Sequence, residues 1–230
     1  MARTIKLWDL PTRVFHWSLV ICVACAFATG WIGGNAMPWH GRFGITICGL
    51  LAFRIVWGFA GSTYARFLQF VRGPGAILAY LRGEWRGVGH NPLGALSVLG
   101  MLAVLGFQVG TGLFANDDIA FNGPLYNLVT KELSDRVAGL HRLDSWLVLL
   151  LVTLHLSAIM FYAHVKKDNL IRPMLTGRRD CEFEVPDAKG GGMAAFLVAA
   201  AVGVLVAYAA SGAFVPPPPP PPPSTEQPAF

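Results

Sequence analysis

The chain contains five long apolar segments separated by polar connections. They cover roughly residues 14–34, 41–60, 93–114, 138–162 and 193–215. A helix needs ~20 mostly apolar residues to cross the hydrocarbon core of a bilayer, and each segment is long enough. The apolar residues are continuous within each segment and do not alternate with polar ones, which predicts helices and not the strands of a barrel. We therefore predict an all-α integral membrane protein, with a four-helix transmembrane bundle and a fifth, C-terminal transmembrane helix.

The first segment also has features of a secretory signal peptide. Basic residues precede it, and Ala26-Phe27-Ala28 resembles the small-residue pattern of a cleavage site. The apolar stretch nevertheless continues through Trp31 and Ile32. We therefore expect the segment to be retained as a membrane helix.

The composition excludes an ordinary soluble enzyme. Of the 230 residues, 54% are hydrophobic and only 13% are charged, whereas charged residues make up about 25% of a typical soluble domain. The net charge of +5 is explained by its distribution. Thirteen of the 18 basic residues fall in the N-terminal segment and in the second and fourth connections, while only Lys131 and Arg136 fall in the opposite connections. Since basic residues favour the cytoplasmic side, we expect a cytoplasmic N-terminus, an external C-terminus and no nucleic-acid partner.

The composition changes after the fourth apolar segment. We predict a four-helix domain over residues 1–175, a cytoplasmic linker over 176–192, a fifth transmembrane helix over 193–215 and a proline-rich external tail over 216–230. The fifth helix is rich in alanine, which suits packing against another helix. The tail, with eight consecutive prolines, is either a disordered low-complexity segment or a stiff polyproline spacer that, with the fifth helix, docks a membrane or periplasmic partner.

Four of the six histidines fall in the apolar segments, where ligating groups are functional candidates. His141 and His155 are 14 residues apart, a rise of about 21 Å and nearly four helical turns, so both face one side at two depths. His16 begins the first segment and His40 begins the second, which runs in the opposite direction. We predict an external pair, His40 with His141, and a cytoplasmic pair, His16 with His155.

Two facing imidazoles at one depth suit a haem that is ligated on both sides. One histidine near a helix end is more often a hydrogen-bonding residue, but four histidines at two matched depths favour two haems. Cys22 and Cys25 lack the following histidine of a covalent haem site, so we expect non-covalent haem and two buried thiols. His90 and His164 lie in cytoplasmic connections and are expected to be solvated surface residues.

Three arginines also lie in the apolar segments. Arg54 follows His40 by the same 14 residues that separate the histidines of the fourth segment, so it should lie near the cytoplasmic pair. Arg42 and Arg142 lie beside the external pair. Arginine binds carboxylates in a bidentate manner, which predicts contacts with haem propionates. The alternative for all three is snorkelling of the guanidinium to the lipid headgroups.

Two further features concern the surroundings of the histidines. Asp144 and Ser145 lie three and four residues after His141, where they either orient its second nitrogen or form a cap or solvent contact. The third apolar segment is rich in glycine, which suits close helix packing or leaves room for a flat macrocycle, and we favour packing. These glycines are Gly94, Gly100, Gly106, Gly110 and Gly112.

Several motifs around the histidines resemble those of bacterial b-type cytochromes, a group that includes bacterial cytochrome b561 and the cytochrome b subunits of nickel-iron hydrogenases. The similarity covers about residues 4 to 179. The motifs are Lys6-Leu-Trp-Asp-Leu-Pro-Thr-Arg-Val-Phe-His16-Trp, Trp39-His40-Gly-Arg-Phe-Gly, Phe53-Arg54-Ile-Val-Trp57, Gly89-His-Asn-Pro-Leu-Gly94, Gly139-Leu-His141 and Leu154-His155.

The resemblance implies two non-covalent haem b groups with bis-histidine ligation, in a protein that exchanges electrons between membrane quinone and a redox partner. The setting would be the bacterial inner membrane, with lipid around the bundle. The partner would be a periplasmic c-type cytochrome, for which the acidic connection 115–136 is a platform, or a subunit of a membrane complex. The fifth helix departs from the four-helix pattern of the family.

Filled axial positions leave no open site for substrate, so we expect an electron-transfer cytochrome and leave open a role as a quinol oxidoreductase subunit. Two alternatives remain. One is a haem-free membrane anchor, and the other is a proton or metal transporter lined by histidine and arginine. A haem count per chain separates them, because only the cytochrome would contain two haems.

Overall fold

The computed structural model describes residues 3–181 and 184–216. It consists of helices and one small sheet. In chain order the elements are β1 (Arg3–Lys6), α1 (Leu10–Ile32), α2 (Met37–Ala60), α3 (Phe67–Phe70), α4 (Pro74–Leu81), α5 (Pro92–Phe114), α6 (Lys131–His164), α7 (Ile171–Thr176), β2 (Arg178–Cys181) and α8 (Met193–Ala210).

Five of these helices, α1, α2, α5, α6 and α8, are long and apolar enough to cross a membrane. The predicted helical membrane protein is confirmed, with some changes in the bounds. Helix α6 has 34 residues and begins before the predicted apolar segment, because Thr130 caps it by accepting a hydrogen bond from the amide of Leu133. Helix α8 ends at Ala210, before the predicted end of the fifth segment.

Side-chain caps also fix the starts of α1 and α5. Asp9 accepts a hydrogen bond from the amide of Thr12 at 2.7 Å, and Pro11 lies in the first turn of α1. Asn91 accepts one from the amide of Gly94 at 2.7 Å, next to Pro92. These residues satisfy amides that a helix start leaves without a partner. The caps therefore set where the chain enters the bundle from the polar connections.

Helix α2 is the centre of the bundle and packs against α1, α5 and α8. A core cluster formed by Cys22, Ile47, Leu51 and Val109 joins α1, α2 and α5. Helix α6 packs closely on α5, and among the described residues it makes at most a few close backbone approaches to α1 and α2.

The fifth membrane helix packs on α2 of its own chain through a pair of glycines. A Cβ atom on Gly49 would lie 2.8 Å from the carbonyl oxygen of Gly203, and one on Gly203 would lie 2.9 Å from that of Gly49. Small residues allow this close backbone approach. The face of α8 that we expected to pack against another helix is thus covered within the chain. The polyproline tail falls almost entirely outside the described residues, beyond position 216.

The segment before α1 forms a folded cap with the connection between α6 and α8. Strands β1 and β2 pair antiparallel, with Lys6 opposite Arg178. Two strand residues, Ile5 and Cys181, form an apolar cluster with Leu7 and Trp8, which follow β1. We call this unit the N-terminal cap. It closes the end of the bundle that carries His16.

Candidate functional site

The structure brings the four histidines of the membrane helices together in the predicted pairs. The ring centroids of His40 and His141 are 5.9 Å apart, and those of His16 and His155 are 6.5 Å apart. Helix α6 supplies one member of each pair, while α1 and α2 supply the others. The two pairs therefore lie at two levels along α6.

Both separations fit a metal ion that two imidazoles ligate from opposite sides. A metal–imidazole bond is ~2.0–2.1 Å long, which places the two ring centroids roughly 6.3 Å apart. The observed values of 5.9 and 6.5 Å lie on either side of that distance. Within the described residues there is no cluster of three or more His, Cys, Asp or Glu side chains suited to a metal. The donor set at each level is therefore a histidine pair, which suits haem.

Helix α1 supports the ring of His40. The Nδ1 atom of His40 lies 2.8 Å from the carbonyl oxygen of Ala26. Because a carbonyl only accepts, Nδ1 carries the proton and Nε2 keeps a free lone pair. Gly30 provides the space, since a Cβ atom there would lie 2.9 Å from Nδ1.

Helix α5 supports the ring of His141 in a similar way. Its Nδ1 atom lies 2.9 Å from the carbonyl oxygen of Gln108 and 3.4 Å from Oγ1 of Thr111. A Cβ atom on Gly112 would lie 2.8 Å from Cε1 of the ring. The side-chain amide nitrogen of Gln108 lies 3.2 Å from Nε2 of His141. Gln108 and Thr111, polar residues in an apolar segment, are site residues that the sequence reasoning missed.

Neither Asp144 nor Ser145 contacts the ring of His141, so of the two alternatives the structure does not support an orienting role. Ser145 donates its hydroxyl to the carbonyl oxygen of Arg142 at 2.7 Å. Asp144 is buried, so it is not a solvent contact, and its Oδ2 atom has no hydrogen-bond partner among the described residues. The second nitrogen of His141 is instead oriented by the backbone of α5, through the carbonyl of Gln108.

The expectation that the glycines of the third apolar segment serve close packing was also wrong for most of them. A Cβ atom on Gly100, Gly106 or Gly110 would have no described atom within 4 Å outside its own helix backbone. Gly94 lies against the capping side chain of Asn91. Only Gly112 makes close contact with another helix, and that contact is with the ring of His141.

Arg54 is buried at the level of the second histidine pair. It is 3% exposed and donates from Nη2 to the carbonyl oxygen of Ala65 at 3.0 Å. Its guanidinium carbon lies 4.7 Å from the centroid of the Phe67 ring. The Nη1 atom is buried and has no partner within the described ranges. Snorkelling to lipid headgroups is thus excluded for Arg54, and one donor remains for an anionic group.

Arg42 and Arg142 are exposed at the surface of the bundle. The guanidinium carbon of Arg42 lies 4.6 Å from the ring centroid of Trp39, one turn earlier on the same helix. Their positions agree with the snorkelling alternative. The structure places neither guanidinium between the histidines of a pair.

His90 is not the solvated surface residue that we predicted. Its ring lies between those of Trp8 and Phe70, at centroid distances of 4.8 and 4.7 Å. Its Nδ1 atom is buried and has no hydrogen-bond partner in the described part of the chain. Burial first, and then the nearby charge of Arg54, lowers the pKa of His90 to about 3. The connection folds back under the N-terminal cap, and the sequence pattern does not show this. His164 is exposed, as predicted.

The acidic connection between α5 and α6 uses much of its charge internally. Lys131 lies 2.5 Å from a carboxylate oxygen of Asp118 and 2.7 Å from one of Asp135. Asp117 accepts three backbone amides of its own loop. These contacts weaken the case that this connection binds a periplasmic c-type cytochrome through its negative charge alone. The cysteines of the described residues are free thiols. Cys22 is buried, as expected, but Cys25 is only partly buried.

Comparison with known proteins identifies related chains. The family model described as prokaryotic cytochrome b561 matches residues 7–177, a range that contains both histidine pairs. A "Probable Ni/Fe-hydrogenase 1 B-type cytochrome subunit" of Escherichia coli (strain K12) is 24% identical, covering 77% of this chain and 91% of the relative. A "Probable Ni/Fe-hydrogenase B-type cytochrome subunit" of Azotobacter chroococcum mcd 1 is 24% identical, over 80% and 91% respectively. No solved structure matches the chain.

Proposed function

Because the chain belongs to the prokaryotic cytochrome b561 family, we propose that it transfers electrons through two haem b groups between the quinone pool and a redox protein partner. The coarser part of this function follows from the family itself. The chain is a multi-pass membrane cytochrome of the b type, and its function is transmembrane electron transfer. The proposal adds the number of haems, their ligands and the two reaction partners.

The ligands of one haem are His40 and His141, and those of the other are His16 and His155. The observation that carries this proposal is the match between each pair's ring separation, 5.9 or 6.5 Å, and the span of a bis-imidazole metal centre. The carbonyl contacts of His40 and His141 also put the lone pair that a metal requires on Nε2 of each ring. At His141 the side-chain amide of Gln108, 3.2 Å from Nε2, would give up its contact to the metal.

When bound, haem b would supply a one-electron couple, and the two histidines of each site would hold its iron and leave no position for another ligand. The histidines therefore favour electron transfer over binding of oxygen or substrate. Arg54 holds a permanent positive charge beside the His16/His155 pair, and its unpartnered Nη1 donor fits a propionate carboxylate. The exposed Arg42 and Arg142 would reach propionates only at the edge of the bundle.

The proposed setting is the bacterial inner membrane, with the N-terminus in the cytoplasm and the C-terminus in the periplasm. The support is the concentration of lysine and arginine on the side of the N-terminal cap. In that orientation His40 and His141 lie toward the periplasm, while His16 and His155 lie toward the cytoplasm. The two haem sites would then connect the two faces of the membrane.

The redox partner that we favour is a subunit of a membrane-bound oxidoreductase complex, such as a hydrogenase. The related chains carry hydrogenase subunit names, and about nine tenths of their length is covered. A periplasmic c-type cytochrome is less favoured, because Lys131 already pairs with two carboxylates of the acidic connection. Quinone would be the small exchangeable electron carrier.

A haem count and a quinol assay test this function on the full-length chain. The purified protein should contain two low-spin b haems per chain in a reduced-minus-oxidised spectrum, and both should be reducible by a quinol. A protein without haem would leave only the anchor or transporter alternatives. One haem per chain would contradict the two-site proposal, and haem that quinol does not reduce would contradict the quinone assignment.

A further inference from the structure

Helices α1 and α5 approach the rings of His40 and His141 with the same local arrangement. On α1 the carbonyl of Ala26 accepts the Nδ1 proton of His40, and Gly30 lies against the ring. On α5 the carbonyl of Gln108 accepts the Nδ1 proton of His141, and Gly112 lies against the ring. In both cases the glycine follows the accepting residue by four positions.

The four-residue spacing has a simple geometric cause. Residues i and i+4 lie above one another on the same face of a helix, so one ring spans both positions. The carbonyl of residue i already accepts the amide of residue i+4 within its own helix, and its second lone pair remains for the imidazole. A side chain at position i+4 would occupy the place of the ring, because its Cβ atom would lie only 2.9 Å from a ring atom of His40 or 2.8 Å from one of His141.

The second histidine pair has no such support among the described residues. The Nδ1 atom of His16 is buried and has no hydrogen-bond partner there. None of the glycines in this part of the chain would place a Cβ atom against the ring of His16 or His155. The two pairs therefore share a ring separation but differ in what holds the rings.

We propose that two residue pairs, Ala26 with Gly30 and Gln108 with Gly112, are positioning residues for the His40/His141 haem site. They hold both rings in the tautomer with the proton on Nδ1, which leaves the lone pair on Nε2 for a metal. At His141 the side-chain amide nitrogen of Gln108, 3.2 Å from Nε2, would move aside when the metal binds. This inference rests on the proposed function. A hydrogen bond from Nδ1 makes the opposite nitrogen a stronger donor, which favours the oxidised iron. The two carbonyl contacts consequently lower the midpoint potential of this haem, while the haem at the His16/His155 site lacks the effect.

Glycine-to-alanine variants of the full chain test the proposal, with controls on neighbouring helix positions. Gly112→Ala and Gly30→Ala place a methyl group against a ring, whereas Gly110→Ala and Gly44→Ala place one where nothing described lies within 4 Å. The first two should weaken haem binding at the His40/His141 site ~10- to 100-fold, as loss of such supporting contacts does at other metal sites. Haem that remains there should show a raised midpoint potential, and the second haem should be unchanged. Both controls should resemble the wild type.

Thr111→Val provides a test with little effect on packing, for the case that the alanine variants do not fold. The Thr111 hydroxyl shares its proton between the carbonyls of Phe107, at 2.9 Å, and Gln108, at 3.0 Å, and so competes in part with His141 for the second acceptor. Removal of this hydroxyl should strengthen the hydrogen bond from Nδ1 of His141 to the carbonyl of Gln108. The midpoint potential of the haem at the His40/His141 site should therefore fall. A potential that stays or rises would overturn the inference, as would Gly30→Ala and Gly112→Ala proteins with wild-type haem content and potentials. Absence of haem from the wild type would instead overturn the proposed function.

Discussion

Trp57 donates its indole N–H to a carboxylate oxygen of Asp9 at 3.1 Å, across 48 positions of sequence. The same oxygen accepts the hydroxyl of Ser62, while the other oxygen caps α1 through the amide of Thr12. One carboxylate therefore fixes the start of α1 against the end of α2.

Replacing this carboxylate should destabilise the bundle end that carries His16. Asp9→Ala removes a helix cap and leaves two buried donors unpaired, so the free energy of unfolding should fall by about 2–4 kcal/mol. Thermal or denaturant unfolding of the detergent-solubilised protein measures this loss. Asp9→Asn keeps an acceptor at the cap and should lose less than half as much. Equal losses in both variants would contradict the capping role.

Removal of single histidines should separate the two haem sites. His141→Ala should halve the haem content and leave the haem at the His16/His155 site, because the two pairs share no ligand. His16→Ala should have the reverse effect. Quantitative haem analysis combined with redox titration distinguishes the two remaining species. If both variants lost both haems while the helices stayed folded, the pairing would be wrong.

Neutralising Arg54 should change one midpoint potential. The positive charge of this buried side chain favours the reduced haem at the neighbouring His16/His155 site. Arg54→Gln should therefore lower that potential by about 60–120 mV, which corresponds to a 10- to 100-fold change in a one-electron equilibrium. Arg42→Gln is the matched control, because Arg42 is exposed and its charge is screened by solvent. Equal shifts of the midpoint potential in the two variants would contradict a specific effect of the buried Arg54 charge on this haem.

The stability of the protein should depend on pH through His90. Its pKa is about 3 in the folded chain and about 6.5 when unfolded, so between these values the unfolded state binds more protons. Stability should thus fall as pH decreases below about 6.5, by about 2 kcal/mol at pH 5. His90→Gln should lose stability less steeply over this range. Identical pH profiles would show that His90 does not titrate on unfolding.

The crossing of α2 and α8 should tolerate only very small residues. Gly203→Val should destabilise the protein by about 1–3 kcal/mol, because the added side chain meets the backbone of Gly49. Gly106→Val is the control, since nothing described lies near its Cβ position outside its own helix. The haem count should not change, because α8 supplies no histidine. Loss of haem from a folded Gly203→Val protein would contradict this separation.

The features that the sequence could predict are those encoded by length and spacing. Apolar segments of membrane-spanning length predicted the five helices, and the 14-residue interval between His141 and His155 predicted two levels on one helix face. The arrangement of histidines in facing pairs agrees with that prediction.

The features that escaped prediction depend on tertiary contacts. The acceptors for His40 and His141 are backbone carbonyls, which every residue has, so no residue type marks Ala26 or Gln108. His90 is buried only because its connection folds between Trp8 and Phe70. The partner of α8 also could not be identified, because a small-residue surface fits many helices.

The position of α6 in the chain has a consequence for biosynthesis. This helix is the fourth membrane-crossing segment and carries one histidine of each pair. In the proposed arrangement, neither haem site has its second histidine while the ribosome is still making the first three. The nascent α1–α2 hairpin would then enter the membrane as apoprotein, and stable cofactor loading would wait until synthesis has passed His155.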